Sequence, residues 1–231
     1  MEGILPLILF CIIIIIWLNA KRLFTSFLFK KEWKGLPFNK RDYFLMSLFS
    51  VMPEKTAIIR KMSANSHFPL SDEEIRNVLQ KAWEKCPLST IGIHHIYITD
   101  RPIDMRLGVR GSYRPIPGGL SGDIYLYAYP KDEKGRYLHG YTVEGSTSGY
   151  YIPVDEQLTK LTNINTLLHE MGHHYFYNKT RMLNGDEAEY FCDQFSTKMA
   201  KELHLTPGLK AVEEEIQELN PYKNNGQANS P

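Results

Sequence analysis

The spacing of apolar and polar positions changes along the chain, and each change predicts a different element. The run from Ile4 to Leu18 contains no charged residue. As a helix, residues 1–20 would be about 30 Å long, which is enough to cross a bilayer. A cleaved signal peptide is the alternative, but the residues before the run include Glu2 and no basic side chain. We therefore expect residues 1–20 to be an uncleaved transmembrane anchor.

Residues 21–62 combine lysines and arginines with many aromatic side chains. This composition suits a segment at the membrane surface and equally suits amphipathic helices that pack on the following domain. Because the basic residues follow the apolar run, the positive-inside tendency places the body of a single-pass membrane protein in the cytoplasm. Outside the apolar run the cysteines are Cys86 and Cys192, which suggest no disulfide framework.

Residues 63–219 are long enough for one globular domain, and the polar residues 220–231 predict a disordered tail. The domain opens with a capping box, Ser71-Asp-Glu-Glu74, which predicts the start of a helix that ends before Pro87. The net charge of +1 gives no reason to expect a nucleic acid as partner.

The pattern then changes to that of β-strands. Ile91–Thr99 and Gly122–Tyr129 read as strands rich in β-formers, and Tyr137–Glu144 is expected to pair with Tyr150–Val154. The intervening stretch Arg110–Gly122 contains so many glycines and prolines that we expect neither a helix nor a strand there.

An apolar helical stripe runs through the proline-free segment from Glu156 to Tyr177. His169 and His173 lie at one margin of the stripe, and Glu170 lies further round the helix, away from the predicted core. Two histidines four apart on a helix lie about 40° apart around its axis, so both imidazoles reach one point. That geometry offers a zinc ion two ligands, and Glu170 can then take a proton from a zinc-bound water.

A catalytic zinc ion needs a third protein ligand and an open position for water. A second amphipathic helix opens at Asp186, and Glu189 and Asp193 share one margin of its apolar face. We expect Glu189 to be the third ligand and Asp193 to accept a hydrogen bond from a ligand histidine. Glu187 is the competing third ligand, although both glutamates also suit the positive end of a helix. Cys192 lies on the apolar face and is expected to be a buried thiol.

Two other histidines, His94 and His95, are neighbours on a predicted strand and therefore point to opposite faces of a sheet. This arrangement does not offer the shared point that the helical pair offers. We expect both to be structural.

The sequence His-Glu-x-x-His, followed on a second helix by Glu-x-x-x-Asp, resembles the gluzincin metallopeptidases, the group that contains thermolysin. The stretch Glu189-Tyr-Phe-Cys-Asp193-Gln-Phe-Ser is also similar to a motif of membrane zinc peptidases that process prenylated proteins. The compact layout is similar, more loosely, to the ImmA/IrrE family of small bacterial metallopeptidases. The resemblance covers about residues 155–205. It implies a zincin-like α+β fold with a small twisted sheet against the active-site helix, and a substrate peptide that pairs with Gly122–Tyr129.

The leading hypothesis is a membrane-anchored endopeptidase with one zinc ion per chain, bound by His169, His173 and Glu189, and a protein or peptide substrate. Glu170 would pass a proton from the zinc-activated water to the leaving amine. The alternative is a catalytically silent zinc-binding regulatory or interaction module, although a structural zinc site has four protein ligands and no fourth is evident. A third possibility is a single-pass interaction protein without a metal.

Overall fold

The computed structural model describes residues 53–116, 121–143, 149–183 and 185–220. The predicted anchor at residues 1–20 and nearly all of the predicted tail lie outside these ranges. Most of the basic and aromatic segment also lies outside them. In the part of the chain that the structure describes, none of the helices has the length and apolar character needed to cross a membrane.

The described residues form eight strands and four helices, together with short 3-10 turns at Pro53–Lys55 and Pro87–Ser89. The strands are β1 (Ala57–Lys61), β2 (Ser66–His67), β3 (Ile93–Thr99), β4 (Gly111–Pro115), β5 (Gly122–Tyr127), β6 (Tyr129–Pro130), β7 (Tyr137–Thr142) and β8 (Gly149–Val154). The helices are α1 (Asp72–Lys85), α2 (Glu156–Thr180), α3 (Asp186–Glu202) and α4 (Leu209–Glu218).

The main sheet has four strands in the order β1-β3-β5-β4, and two small two-stranded sheets, β2-β6 and β7-β8, accompany it among the described residues. β1, β3 and β5 are parallel, whereas β4 is antiparallel to β5. The strands predicted at Ile91–Thr99 and Gly122–Tyr129 are confirmed as β3 and β5, and the predicted hairpin as β7 and β8. The predicted substrate edge at Gly122–Tyr129 is wrong, because β5 has a neighbouring strand on each side.

β4 corrects the expectation of irregular backbone throughout Arg110–Gly122. Arg110 O accepts a hydrogen bond from Tyr127 N, and Ile116 N donates to Ser121 O. Since hydrogen bonding alternates along an antiparallel pair, the nitrogen of Pro115 points away from β5, and the ladder loses no donor there. Pairing with β5 therefore stabilises an extended segment whose composition alone does not favour a strand.

Helices α1 and α2 pack on one face of the main sheet. Ile96, Ile98 and Ile124 are fully buried and belong to one hydrophobic cluster with the apolar residues of both helices. On the opposite face Tyr97 and Tyr125 stack with their ring centroids 4.8 Å apart. α1 begins with the predicted capping box, in which Ser71 and Glu74 exchange side-chain-to-backbone hydrogen bonds.

The β7–β8 hairpin and α4 form a second, smaller core with the start of α2. A partly buried polar link joins this core to the segment before β4. Arg110 donates to the carboxylate of Glu213 on α4, and a second guanidinium nitrogen lies 2.8 Å from the hydroxyl of Tyr141 on β7. The backbone that leads into β4 is thereby fixed to the last described helix.

The stability of the fold should fall on mild acidification, because His139 on β7 is fully buried. Burial, and the nearby charge of Arg110, lower its pKa to about 3. In the unfolded chain a histidine has a pKa of about 6.5. The unfolded state therefore binds the proton first, so the contribution of His139 is complete above about pH 6.5 and is lost progressively towards pH 3, by at most about 1.4 kcal/mol per pH unit.

Urea unfolding of the wild-type chain and of His139→Gln between pH 7.5 and 4.5 measures this contribution. We expect a shallower loss of unfolding free energy in the variant. His67→Gln, which changes an exposed histidine, is the matched control. Equal pH slopes for His139→Gln and the wild-type chain would contradict the assignment.

Candidate metal centre

Helix α2 brings two imidazoles together at its centre. The helix is capped by Asp155, whose side chain accepts a hydrogen bond from Leu158 N, and it continues without interruption from Glu156 to Thr180. His169 and His173 therefore lie one turn apart, and their Nε2 atoms are 3.1 Å from each other. Both side chains are mostly shielded from solvent, since their exposed fractions are 15% and 10%.

Helix α3 approaches α2 beside this pair. The point of contact is Gly172, where an added Cβ would lie 3.1 Å from Cys192 Cα and 3.3 Å from its Sγ. A larger residue at this position would separate the two helices, so the glycine of the His-Glu-Met-Gly-His segment permits their close packing. Cys192 follows Glu189 by three residues, so the same contact holds Glu189 over the histidines.

Glu189 brings its two carboxylate oxygens close to the two imidazole nitrogens. Its Oε2 lies 3.3 Å from His169 Nε2 and its Oε1 lies 3.4 Å from His173 Nε2. A tetrahedral zinc site with bonds of about 2.0–2.2 Å separates its ligand atoms by about 3.3–3.6 Å. The separations within this set are close to that value, and the chemistry of the set, two imidazoles and one carboxylate, is that of a catalytic zinc site. The residues therefore fit a zinc ion.

Asp193 contacts the outer nitrogen of the first histidine, where the sequence placed it. Its Oδ1 lies 3.0 Å from His169 Nδ1, although the angle falls short of a hydrogen bond. A carboxylate at this nitrogen favours the tautomer that leaves Nε2 free to bind a metal. Asp193 is thus positioned to orient His169 rather than to bind the ion.

Burial and the neighbouring charged groups shift the pKa values of the two histidines in opposite directions. Burial by itself would lower the pKa of His169, but Asp193 and Glu189 outweigh that effect and raise the pKa to about 10. At His173, burial and the charge of His169 lower the pKa to about 4. One proton can bind to only one of the two imidazoles, whereas a divalent cation can be bound by both at once.

The position of Glu170 differs from the one expected. The helical pattern placed it away from the core, yet its side chain is only 5% exposed. β4 covers it, because Gly111 passes so close that an added Cβ would lie 2.9 Å from Glu170 Oε1. Burial raises the pKa of Glu170 to about 7, against the opposing effects of His169 and of a hydrogen bond from the Tyr113 backbone N–H. A carboxylate with a pKa near neutrality can both accept and release a proton at physiological pH.

The competing ligands occupy less suitable positions. Glu187 and Glu189 are both exposed, but the carboxylates paired with the two histidines belong to Glu189 and Asp193. The Sγ of Cys192 lies within 4.8 Å of one nitrogen of each histidine, so it is a geometric alternative to Glu189. Burial raises the pKa of this thiol far above its usual range, so it would bind a metal only by losing its proton to the cation's influence.

The histidines expected to be structural are separate from the metal centre. His95 Nδ1 lies 2.8 Å from Asp123 Oδ1, which also accepts the backbone N–H of His95. These contacts tie β3 to β5. His94 is half-buried beside it on the same strand, and neither belongs to the group of residues able to share a metal.

Beneath the candidate metal centre lies a buried series of hydrogen-bonded polar side chains that the sequence did not predict. Tyr113 on β4 has its hydroxyl 3.1 Å from His174 Nδ1, and His174 Nε2 lies 2.6 Å from the carbonyl oxygen of Ile91. In the sequence, the one indication of this series was Tyr113, a large aromatic residue between two polar residues in a segment where no regular structure was expected.

The donor atoms open into a cavity of about 380 Å³. Its walls are the segment from Gly108 to Tyr113, the histidine face of α2, and the first turn of α3 together with Leu183. The cleft therefore places an edge strand, the three candidate ligands and Glu170 around a single space.

Comparison of the chain with models of protein families, with curated proteins and with solved structures returned no match. The class of protein is consequently argued from the geometry of the site and from its chemistry.

The third ligand can be identified by measuring zinc affinity in variants of the full chain purified in detergent. We expect Glu189→Gln to weaken zinc binding by more than about 100-fold, beyond the loss typical of an outer-sphere partner. Glu187→Gln, which makes the same change two residues earlier, should leave the affinity unchanged. Loss of zinc from Cys192→Ala, with retention by Glu189→Gln, would instead assign the third position to the thiol.

Proposed function

We propose that this protein is a zinc-dependent endopeptidase that is anchored to the membrane by residues 1–20, with its catalytic domain in the cytoplasm. The observation that carries the proposal is the convergence of His169, His173 and Glu189 at zinc-ligand spacing, directly beside the buried carboxylate of Glu170. The substrate is a protein or peptide, because the cleft is bordered by a strand edge that can pair with an extended chain.

The proposed chemistry divides between the metal and the protein. When bound, zinc lowers the pKa of water and polarises the scissile carbonyl. Glu170 takes the proton of the attacking water and delivers it to the nitrogen of the leaving amine. Its burial raises the pKa of the carboxylate to about 7, which suits both transfers.

The free edge of β4 is the proposed substrate edge, in place of β5. The hydrogen bonds made by Arg110 and Ile116 show that the even-numbered residues of β4 pair with β5. The backbone groups of Gly111 and Tyr113 consequently point to the cleft. The backbone groups of Gly111 and the carbonyl of Tyr113 are then available to a bound peptide.

The second candidate function is a zinc-binding module without catalytic activity. The burial of Glu170 under β4 favours it, since a carboxylate that is 5% exposed is less accessible to a substrate than one open to solvent. Against it, Glu170 still lines the cavity that contains the three candidate ligands. Catalysis and zinc binding must therefore be measured separately.

Substitution of Glu170 separates the two candidates. Glu170→Gln keeps the size of the side chain but removes the proton acceptor, so we expect about one zinc per chain and a loss of peptide cleavage of about 10²–10⁴-fold. Zinc content is measured on the full chain in detergent, and cleavage on an unfolded protein substrate. Cleavage that survives in this variant would show that Glu170 is not the general base, and zinc binding without cleavage by the wild-type chain would favour the silent module.

The close packing of β4 against Glu170 can be tested by substituting Gly111. Gly111→Ala would place a Cβ 2.8 Å from Thr166 Cγ2 and 2.9 Å from Glu170 Oε1, so the strand or the carboxylate must move. We expect zinc affinity to persist and kcat to fall by about tenfold to 100-fold, since small misplacements of a catalytic group have effects of this size.

The control for this substitution is Arg114→Ala on the same strand. Arg114 is exposed and lies over the ring of Tyr125 on the opposite face of the sheet. The Arg114→Ala variant should therefore retain the wild-type kcat. An unaltered kcat in Gly111→Ala would contradict the proposed placement of Glu170.

A further inference from the structure

The buried pair of Tyr113 and His174 lies under the strand that borders the cleft, and we propose that this pair positions the strand for catalysis. The Tyr113 hydroxyl, held by His174, sets the distance between the backbone of β4 and the carboxylate of Glu170. Tyr113 and His174 are positioning residues, because they act through β4 rather than on the reacting atoms. The inference rests on the proposed peptidase function, although part of its test requires no activity.

β4 needs support from α2 because it is an edge strand. It has five residues, and among the described residues it pairs only with β5. An edge strand leaves the backbone groups on its outer side without a partner in the sheet. The depth at which β4 lies over α2 therefore depends on the side chains that it directs towards this helix.

The contacts between β4 and α2 match the spacing of both elements. Gly111 lies over Glu170, since an added Cβ would be 2.9 Å from Glu170 Oε1. Tyr113 lies over His174, and its hydroxyl is 3.1 Å from His174 Nδ1. Two residues of a strand span about 7 Å and four residues of a helix about 6 Å, so the two contacts are in register. A fixed Tyr113 therefore also fixes Gly111 over Glu170.

His174 provides a stationary partner for the Tyr113 hydroxyl. The imidazole is fully buried, and its Nε2 lies 2.6 Å from the carbonyl oxygen of Ile91, just before β3. A carbonyl oxygen can only accept, so Nε2 carries a hydrogen. Burial disfavours a charged imidazole, which leaves Nδ1 as an acceptor for the Tyr113 hydroxyl. The pair thus connects β4 to α2 and to the start of β3.

The surrounding residues leave the phenol of Tyr113 a single place. An added Cβ at Gly122, on the neighbouring strand, would lie only 2.5 Å from the Tyr113 hydroxyl oxygen. The rings of Tyr113 and His174 meet edge to face, with their centroids 5.3 Å apart. The amide nitrogen of Asn178 lies 3.3 Å and 3.2 Å from the two nitrogens of the His174 ring. Glycine at position 122 therefore keeps free the space that the phenol occupies.

The depth of β4 matters for the reaction because a peptide paired with its edge moves with it. Without the hydrogen bond between Tyr113 and His174, the peptide stays paired with β4, but the bond to be cleaved shifts relative to Glu170. Binding of the peptide is then largely retained, whereas the chemical step slows, since small misplacements at a catalytic group have large effects. The candidate metal ligands lie on α2 and α3, so zinc binding is unaffected.

Tyr113→Phe tests the role of the hydroxyl, because it removes one oxygen atom and keeps the ring. The zinc-loaded full chain is assayed in detergent with a peptide substrate. We expect kcat to fall about tenfold, with KM and zinc affinity changed by less than about threefold. An unchanged kcat would overturn the proposed role of Tyr113.

The matched control is Tyr127→Phe, which removes a different hydroxyl that contacts the same strand. The Tyr127 hydroxyl oxygen lies 2.9 Å from Ser112 Oγ, on the face of the sheet opposite to α2. This contact joins β4 to β5 but not to the helix, so the variant should keep the wild-type kcat. Equal losses of kcat in Tyr127→Phe and Tyr113→Phe would show a general structural effect and would overturn the positioning role.

His174→Leu tests whether Tyr113 acts through His174, because it removes the acceptor. We expect a similar fall in kcat, and Tyr113→Phe in this background should cause no further loss. Additive losses would overturn the proposed coupling of the two residues. If His174→Leu does not fold, the hydrogen-exchange measurement on Tyr113→Phe decides.

Hydrogen exchange reports the support of β4 without turnover. In the zinc-free full chain, the amides of β4 should exchange about fivefold faster in Tyr113→Phe than in the wild-type chain, as expected for the loss of one buried hydrogen bond. The amides of β7 should be unchanged and serve as the internal control. Unchanged exchange in β4 would overturn the proposed support. A zinc-loaded wild-type chain that cleaves no peptide would overturn the proposed function, whereas the exchange result would still confirm or reject the hold of His174 on β4.

Discussion

The closeness of two helices is the constraint on which the rest of this site depends. Gly172 has no side chain, so the backbone of α3 can approach α2 at Cys192. The contact lies between the two histidines of α2 and next to Glu189, so helix packing and ligand spacing are set by the same few atoms. Cys192 is small enough to fit at this contact, which accounts for a buried thiol beside the two histidines.

The second determinant is electrostatic. Glu170, Glu189 and Asp193 bring three carboxylates around two imidazoles in a partly buried space. Like charges at this distance repel one another strongly when water is excluded. The raised pKa values of His169 and Glu170 both reduce the net negative charge of the cluster, by keeping one proton on the imidazole and by favouring another on the carboxylate. A bound divalent cation would perform the same compensation and release those protons.

The sequence was informative where the relevant interactions are local. The span of α2, the cap of α1 and the shared helix face of Glu189 and Asp193 follow from helical periodicity, which depends on residues a few positions apart. The meeting of that face with the histidines of α2 was expected only from the ligand requirement of a catalytic zinc ion. The strand β4 was missed because its extended form depends on β5, and a segment bounded by Gly111 and Pro115 gives little local indication of that pairing. Glu170 was misplaced for the same reason: the pattern of one helix does not show that a strand covers it.

The ion pair between Arg110 and Glu213 has a consequence for the folding of the protein during its synthesis. A ribosome makes the two histidines, Glu170 and Glu189 before it reaches α4. Until Glu213 emerges, the guanidinium of Arg110 lacks its carboxylate partner, and an unpaired charge in that partly buried position disfavours the folded arrangement. The strand bordering the cleft is thus completed by one of the last parts of the fold to be synthesised. A nascent chain in which His169, His173 and Glu189 are already present would therefore still lack the ordered wall of the cleft until α4 is made.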